Sequence, residues 1–333
     1  MVPTDWKLWK SDGTTAGTVM VKDMYTGSTS GTPNAGNPQT FCVMNGKLYF
    51  YGVDANGAEL WVTDGTTGGT YMIKDIFAGG SSGPTRLTAA GTTLYFRATN
   101  GTTNGAELWK TDGTSGGTSM VKDIYSGSGS SNPDQLVLIG SDLYFQANDN
   151  VSGAELWKSD GTSSGTVLVK DINTAVNTAS TPTNIVSNNT IFLFAANNGS
   201  NGVELWKSDG TGAGTVLVKN ISPETGIPAI ANVTALGNKV VFSANDGING
   251  IELWSTDGTV AGTALIKDIN TSTAGASSSP AKLTNFGGNI YFFCYQWYHL
   301  WFKRLGTMED RRNNRRYFYS ERYQSGYRWF FTH

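Results

Sequence analysis

Five aspartates, Asp64, Asp112, Asp160, Asp209 and Asp257, stand at matching points of the sequence, each followed by Gly-Thr. A carboxylate can serve as acid, base or cation ligand, but each role needs a second group held beside it. Residues 1–293 are poor in such partners. No histidine precedes His299, so neither a Ser-His-Asp triad nor a histidine-held metal can be assembled there. Arg86 and Arg97 are the only arginines, few for a clamp on an anionic substrate. Three segments are rich in oxygen ligands: Asn148-Asp149-Asn150, Asn197-Asn198-Gly199, and Asn245-Asp246-Gly247 with Asn249. Calcium takes six to eight oxygens, and EF-hand spacing is absent. Turn formation accounts for these loops more simply, so the expectation is no cofactor, with calcium at Asp149 and Asp246 as the alternative. Asp54, Asp134 and Glu224 lack counterparts at equivalent positions and are the carboxylates to watch in a hydrolytic reading.

The elements that carry these residues repeat. Trp9, Trp61, Trp109, Trp157, Trp206 and Trp254 recur at 52, 48, 48, 49 and 48 residues, and such a period marks a repeat architecture. Full units cover about 35–76, 83–124, 132–172, 180–221 and 229–269, with half units at 1–24 and 281–293. Within 132–172, four short strands are predicted over 135–139, 143–147, 154–158 and 167–172, bounded by Gly, Asn, Asp or Ser. Asp160-Gly161 supplies the positive φ of a tight hairpin between the third and fourth. An aspartate present in every copy is expected to hold that hairpin, and a tryptophan beside leucine is expected in the core. Trp6 has no counterpart.

Strands apolar on both faces need cover on both sides. Stacked four-stranded sheets arranged radially provide it, and a period near 48 matches a β-propeller blade. The predicted fold is therefore all-β, a propeller of six four-stranded blades, the sixth closed by the N- and C-terminal halves. An open β-solenoid is the runner-up. Lys22, Lys74, Lys122, Lys170, Lys219 and Lys267 fall on the fourth strand, where lysine guards an outer edge against pairing. Cys42, the body's single cysteine, admits no disulfide framework, and its setting in Phe41-Cys42-Val43-Met44 predicts a buried hydrophobe.

The string Glu107-Leu108-Trp109, Asp112-Gly113-Thr114 and Gly117-Thr118 resembles the ELWxxDGT repeat family. Glu204 to Thr215 and Glu252 to Thr263 match it too, and the resemblance runs from residue 1 to about 293. It implies a propeller-like bacterial secreted or surface protein, hence an extracellular location. The turn also resembles the aspartate box of sialidase-like propellers. The start, Met1-Val2-Pro3-Thr4-Asp5, carries no signal-peptide pattern, and no segment is apolar enough to span a membrane.

Charge divides the chain. Residues 1–293 carry 16 Lys and Arg against 23 Asp and Glu; residues 294–333 carry eight against three, with seven arginines. A further motif is due near residue 302. Codons for Phe293 to Thr332 can be chosen so that the next reading frame encodes W-K-T-D-G-T followed by V-K-D-I. The tail is therefore read as a frameshifted repeat, ahead of a nucleic-acid arm or a plain basic extension; no nucleic-acid partner is expected.

The copies diverge most at 77–85, 125–134, 173–182, 222–231 and 270–282, between the fourth strand and the next first strand. In a propeller these connections share one face with the loops between strands two and three, where variable loops on a rigid frame carry recognition. The expected function is a non-enzymatic binding, adhesion or scaffold module whose partner is an extracellular protein or glycan. The alternatives are a glycan-active or other hydrolytic propeller, and an inactive fragment of a longer array.

Overall fold

The structure is a computed structural model that describes residues 6–29, 32–175, 178–187, 192–223 and 229–295, together with Glu309–Asp310 and Arg315–Arg316. The chain divides into Met1–Gln296 and Trp297–His333. In the second unit the two short strands pair antiparallel. The basic tail otherwise lies outside the described residues, as does Glu224.

In the first unit every complete repeat folds into one four-stranded antiparallel meander. The first sheet runs Gln39–Met44, Lys47–Asp54, Gly57–Thr63 and Tyr71–Lys74. The second runs Thr85–Ala90, Thr93–Thr99, Ala106–Thr111 and Ser119–Lys122. The third begins at Asp134–Ile139, the fourth at Thr183–Ser187 and the fifth at Ala231–Leu236. The first strand of each sheet lies beside the first strand of the next, so these five are the inner strands. No helix occurs among the described residues, and none is long and apolar enough to cross a membrane.

Cohesion between sheets comes from the repeated tryptophan. Trp61 packs on Leu8, Val21 and Met24 of the preceding hairpin, Trp109 on Leu60, Ile73 and Ile76, Trp157 on Leu108, Val121 and Ile124. Trp206 covers Leu156, Val169 and Ile172, and Trp254 covers Leu205, Val218 and Ile221. Each indole thus seals the two outer strands of the sheet before it, a contact whose truncation costs ~3–5 kcal/mol in a typical core.

The fourth-strand lysines do more than guard an edge. Lys22, Lys74, Lys122, Lys170 and Lys219 donate to the carbonyls of Thr70, Thr118, Thr166, Thr215 and Thr263 in the next sheet, at 2.6–2.8 Å. Lys22, Lys122 and Lys219 also lie over the rings of Trp61, Trp157 and Trp254. Edge lysines have thereby become staples.

The two terminal halves do not combine into a sixth sheet. Leu8–Lys10 pairs only with Val19–Lys22, and Ala281–Phe286 only with Asn289–Phe293. With no sheet before it among the described residues, Trp9 is 58% exposed, and with no described tryptophan over it, Ile266 is 50% exposed where Val169 and Val218 are buried. Cys42 likewise departs from expectation: it is half-buried between the exposed Phe41 and Val43, because only one face of this inner strand packs on a sheet.

Candidate binding face

Antiparallel meandering brings four things to one end of each sheet: the start of the inner strand, the loop between strands two and three, the end of strand four, and the crossover to the next sheet. The opposite end holds the Asp-Gly-Thr turns. There Asp64, Asp112, Asp160, Asp209 and Asp257 each accept from the backbone N–H and the hydroxyl of the threonine two residues on, at 2.7–2.9 Å. Those bonds hold the carboxyls below the usual carboxylate range. In the second sheet's turn Gly113 has φ +94°, and an added Cβ would lie 2.4 Å from the Tyr49 hydroxyl of the preceding sheet. Both the turn and the sheet packing therefore require glycine there.

At the other end, the glutamate before each Leu-Trp is a clamp that sequence reasoning missed. Glu59 is fully buried. It accepts from the Ile76 N–H at 3.1 Å, the Ser82 N–H at 3.0 Å and the Ser82 hydroxyl at 2.6 Å. Glu107 does the same to Ile124 and Ser131, Glu155 to Ile172 and Ser180, and Glu252 to Ile269 and Ser278. The clamp explains why the third sheet's outer strand stops at Lys170, two residues short of expectation: the Ile172 N–H is given to Glu155 instead of the ladder. It also anchors the variable crossovers to the frame. The signal was present in the sequence, since the glutamate recurs in five copies.

Burial pushes the carboxyls of Glu59, Glu107 and Glu155 up, against the opposing effect of these bonds. Glu204 goes further, to about 7, with burial opposed only by backbone N–H groups of Ile221 and Ser222. Three residues before the next inner strand, where other copies have Ser82, Ser131, Ser180 and Ser278, this copy has Pro228. Proline has neither N–H nor hydroxyl to give, and Glu204 Oε1 has no partner. The same copy has Asn220 where the others carry Asp75, Asp123, Asp171 and Asp268. In the N-terminal half unit Lys7 replaces the glutamate and Gly36 the serine, and Lys7 pairs with Asp23 instead.

The described residues of the crossovers 77–85, 125–134, 173–182 and 270–282 meet the loops between strands two and three, or the strand that follows them, at this end. Ser81 and Ser130 accept from the N–H groups of Ala58 and Ala106, Gly105 N–H reaches Gly129 O at 2.9 Å, and Asn104 reaches Asp123 at 2.8 Å. Asp149 Oδ1 accepts from the N–H groups of Val151 and Ser152. Asp246 Oδ1 accepts from Ile248 and Asn249, and its Oδ2 from the Asn249 side chain. Burial raises the Asp246 carboxyl, and the bonds from Asn249 and Ile248 outweigh it, leaving it below its ordinary value. These carboxylates serve their own turns, and no group of three or more His, Cys, Asp or Glu that could hold a metal occurs among the described residues. Asp54 caps its own turn through Asn56, and Asp134 pairs with Arg86.

Each inner strand also carries one extra residue, in the same place. The register slips between strands one and two in every sheet and in the C-terminal hairpin. At that bulge Thr40, Arg86, Gln135, Asn184, Asn232 and Lys282 take φ of +53° to +58°. Only asparagine adopts this left-handed region readily, and the others hold it at a cost of ~1 kcal/mol each. A bulge re-aims side chains, and here it presents five residue kinds at six equivalent positions.

No family model and no curated protein matches this chain. Among solved structures it is similar to a computationally designed protein, Ika8, at 17% identity and TM-score 0.42, covering 76% of this chain and 65% of that one. It is also similar to puromycin hydrolase at 14% and 0.48, covering 86% and 46%, and to TolB from Acinetobacter baumannii at 14% and 0.38, covering 76% and 57%. The chain thus spans under two thirds of the length of each.

Proposed function

We propose that this chain is a non-enzymatic, extracellular binding module of ELWxxDGT repeats, and that it recognises a glycan or protein through the end where inner strands begin and crossovers run. One observation carries this reading: the strained bulge is the same in six copies, while the side chain it presents changes from Thr40 to Arg86, Gln135, Asn184, Asn232 and Lys282. Residues that hold the frame are repeated; residues at this face are not. Strain kept in every copy yet filled by different polar groups supports a recognition role. Closure into a six-bladed ring would need the free edges of Leu8–Lys10 and Asn289–Phe293 to pair, with Phe292 opposite Trp9, the register Phe242 and Trp254 adopt in the fifth sheet.

The test is a binding screen of the purified chain on immobilised glycans and surface proteins, followed by substitution. Replacing Gln135, Asn184 and Lys282 together with alanine is expected to abolish capture, while Asp160→Asn at the opposite end leaves it intact. Equal loss from both changes would sink the assignment of the face.

A further inference from the structure

The two arginines of the body lie within one residue of each other across one strand pair. Arg97 lies on the second strand of the second sheet, opposite Thr85, and its Nε donates to the Thr85 hydroxyl at 3.2 Å. Arg86 is the next residue along the inner strand, in the strained bulge. Its Nη2 reaches Asp134 Oδ2 of the third sheet at 2.9 Å, and its side chain is 51% exposed.

The charges there do not balance. Asp134 neutralises Arg86 and uses its other oxygen on the Gln135 N–H at 2.6 Å. Arg97 has no carboxylate partner among the described residues, and Thr85 takes only its Nε proton. The half-buried Arg97 guanidinium therefore keeps both Nη groups, four N–H donors in a rigid planar fork, without an acceptor among the described residues. A guanidinium in that state is a ready partner for a carboxylate or sulfate, which it can bind through two parallel hydrogen bonds. The neighbouring sheets carry hydrogen-bonding residues at equivalent positions: Gln135 is the bulge residue of the third sheet, and Gln146, opposite Asp134, holds there the register position of Arg97. Tyr51 holds in the first sheet the register position that Arg97 holds in the second. Amides and an aromatic residue at the equivalent positions of the sheets on either side of a cationic fork suit a sugar bearing an acid group.

We propose that Arg97, with Arg86 oriented by Asp134, forms an oxyanion subsite for the carboxylate or sulfate of an acidic glycan. This rests on the reading of this end of the sheets as the recognition face, and it names the chemistry recognised in its second and third sheets.

The experiment is titration calorimetry of the full chain with three tetrasaccharides: one glucuronate-bearing, its carboxyl-reduced neutral counterpart, and one sulfated. An acidic peptide serves as a fourth probe. At least one acidic sugar binds, the neutral one binds at least tenfold more weakly, and the uronate and sulfate arms tell which oxyanion is preferred. Arg97→Gln lowers affinity about tenfold to a hundredfold, the range for a charge-assisted hydrogen-bond pair, with unchanged thermal unfolding. Arg97→Lys recovers only part, because an ammonium cannot reproduce the fork. Absence of binding by both acidic sugars, equal affinity for the neutral one, or tighter binding of the peptide overturns the proposal. If acidic-sugar binding survives Arg97→Gln but falls with Asn184→Ala and Lys282→Ala, the subsite is wrong and the face stands. If it survives all three, both readings fall.

Discussion

Glu204 should make this protein less stable as the pH rises towards neutrality, and Glu204→Gln should remove that dependence. Its carboxyl rises from an ordinary 4.5 to about 7 on folding, so the folded chain binds a proton that the unfolded chain releases. Stability from this group is full below the unfolded value and is lost as pH climbs through the folded one. At ~1.4 kcal/mol per pH unit, the loss between pH 4.5 and 7 is about 3 kcal/mol. The group is 1% exposed, so solvent does little to screen it. The assay is hydrogen exchange of the Ile221 amide, which donates to Glu204 at 3.0 Å, measured from pH 5 to 8 and corrected for intrinsic rate. The parent should lose protection across that window, and Glu204→Gln should hold it nearly level. Glu107→Gln is the contrast. Its carboxylate accepts from Ile124 and twice from Ser131, so an amide NH2 there must confront a donor, at about 1–3 kcal/mol. A parent and Glu204→Gln with the same pH slope would refute the argument that the missing serine leaves this carboxylate costly to ionise.

Lys122→Met should lower stability by about 1–2 kcal/mol in urea unfolding, since it removes the bond to Thr166 O and the cation over Trp157; Lys267→Met, on an exposed lysine with no carbonyl partner among the described residues, should cost nothing measurable. Gly113→Ala should be worse than an ordinary Gly→Ala change, by more than ~1 kcal/mol, and Tyr49→Phe should relieve part of it, because the hydroxyl is the atom that an added Cβ meets.

Much of the fold was legible because it is written repeatedly. A tryptophan every 48 or so residues, an Asp-Gly pair at each turn and short apolar runs are local signals, and local signals survive in one dimension. The strand boundaries of 132–172 followed from them to within two residues, and the exception at Ile172 arose from a side chain 17 positions away. The site was less legible. Variable stretches between units pointed to one end of the sheets, but nothing local marks Arg86 or Gln135 as left-handed, since the bulge exists only where two strands pair out of step. Arg86 and Arg97, dismissed in the sequence as too few for a clamp, gain meaning from strand pairing, which puts both within a residue of Thr85.

The sequence by itself determined the all-β repeat, the turns and the tryptophan positions, because periodic apolar runs and glycine turns act over neighbouring residues. Only the tertiary structure decided which carboxylates are clamps, which lysines are staples and which arginine is left without a counter-charge. Those roles depend on atoms that come from the next sheet or the crossover to it, 17 to 48 residues away along the chain.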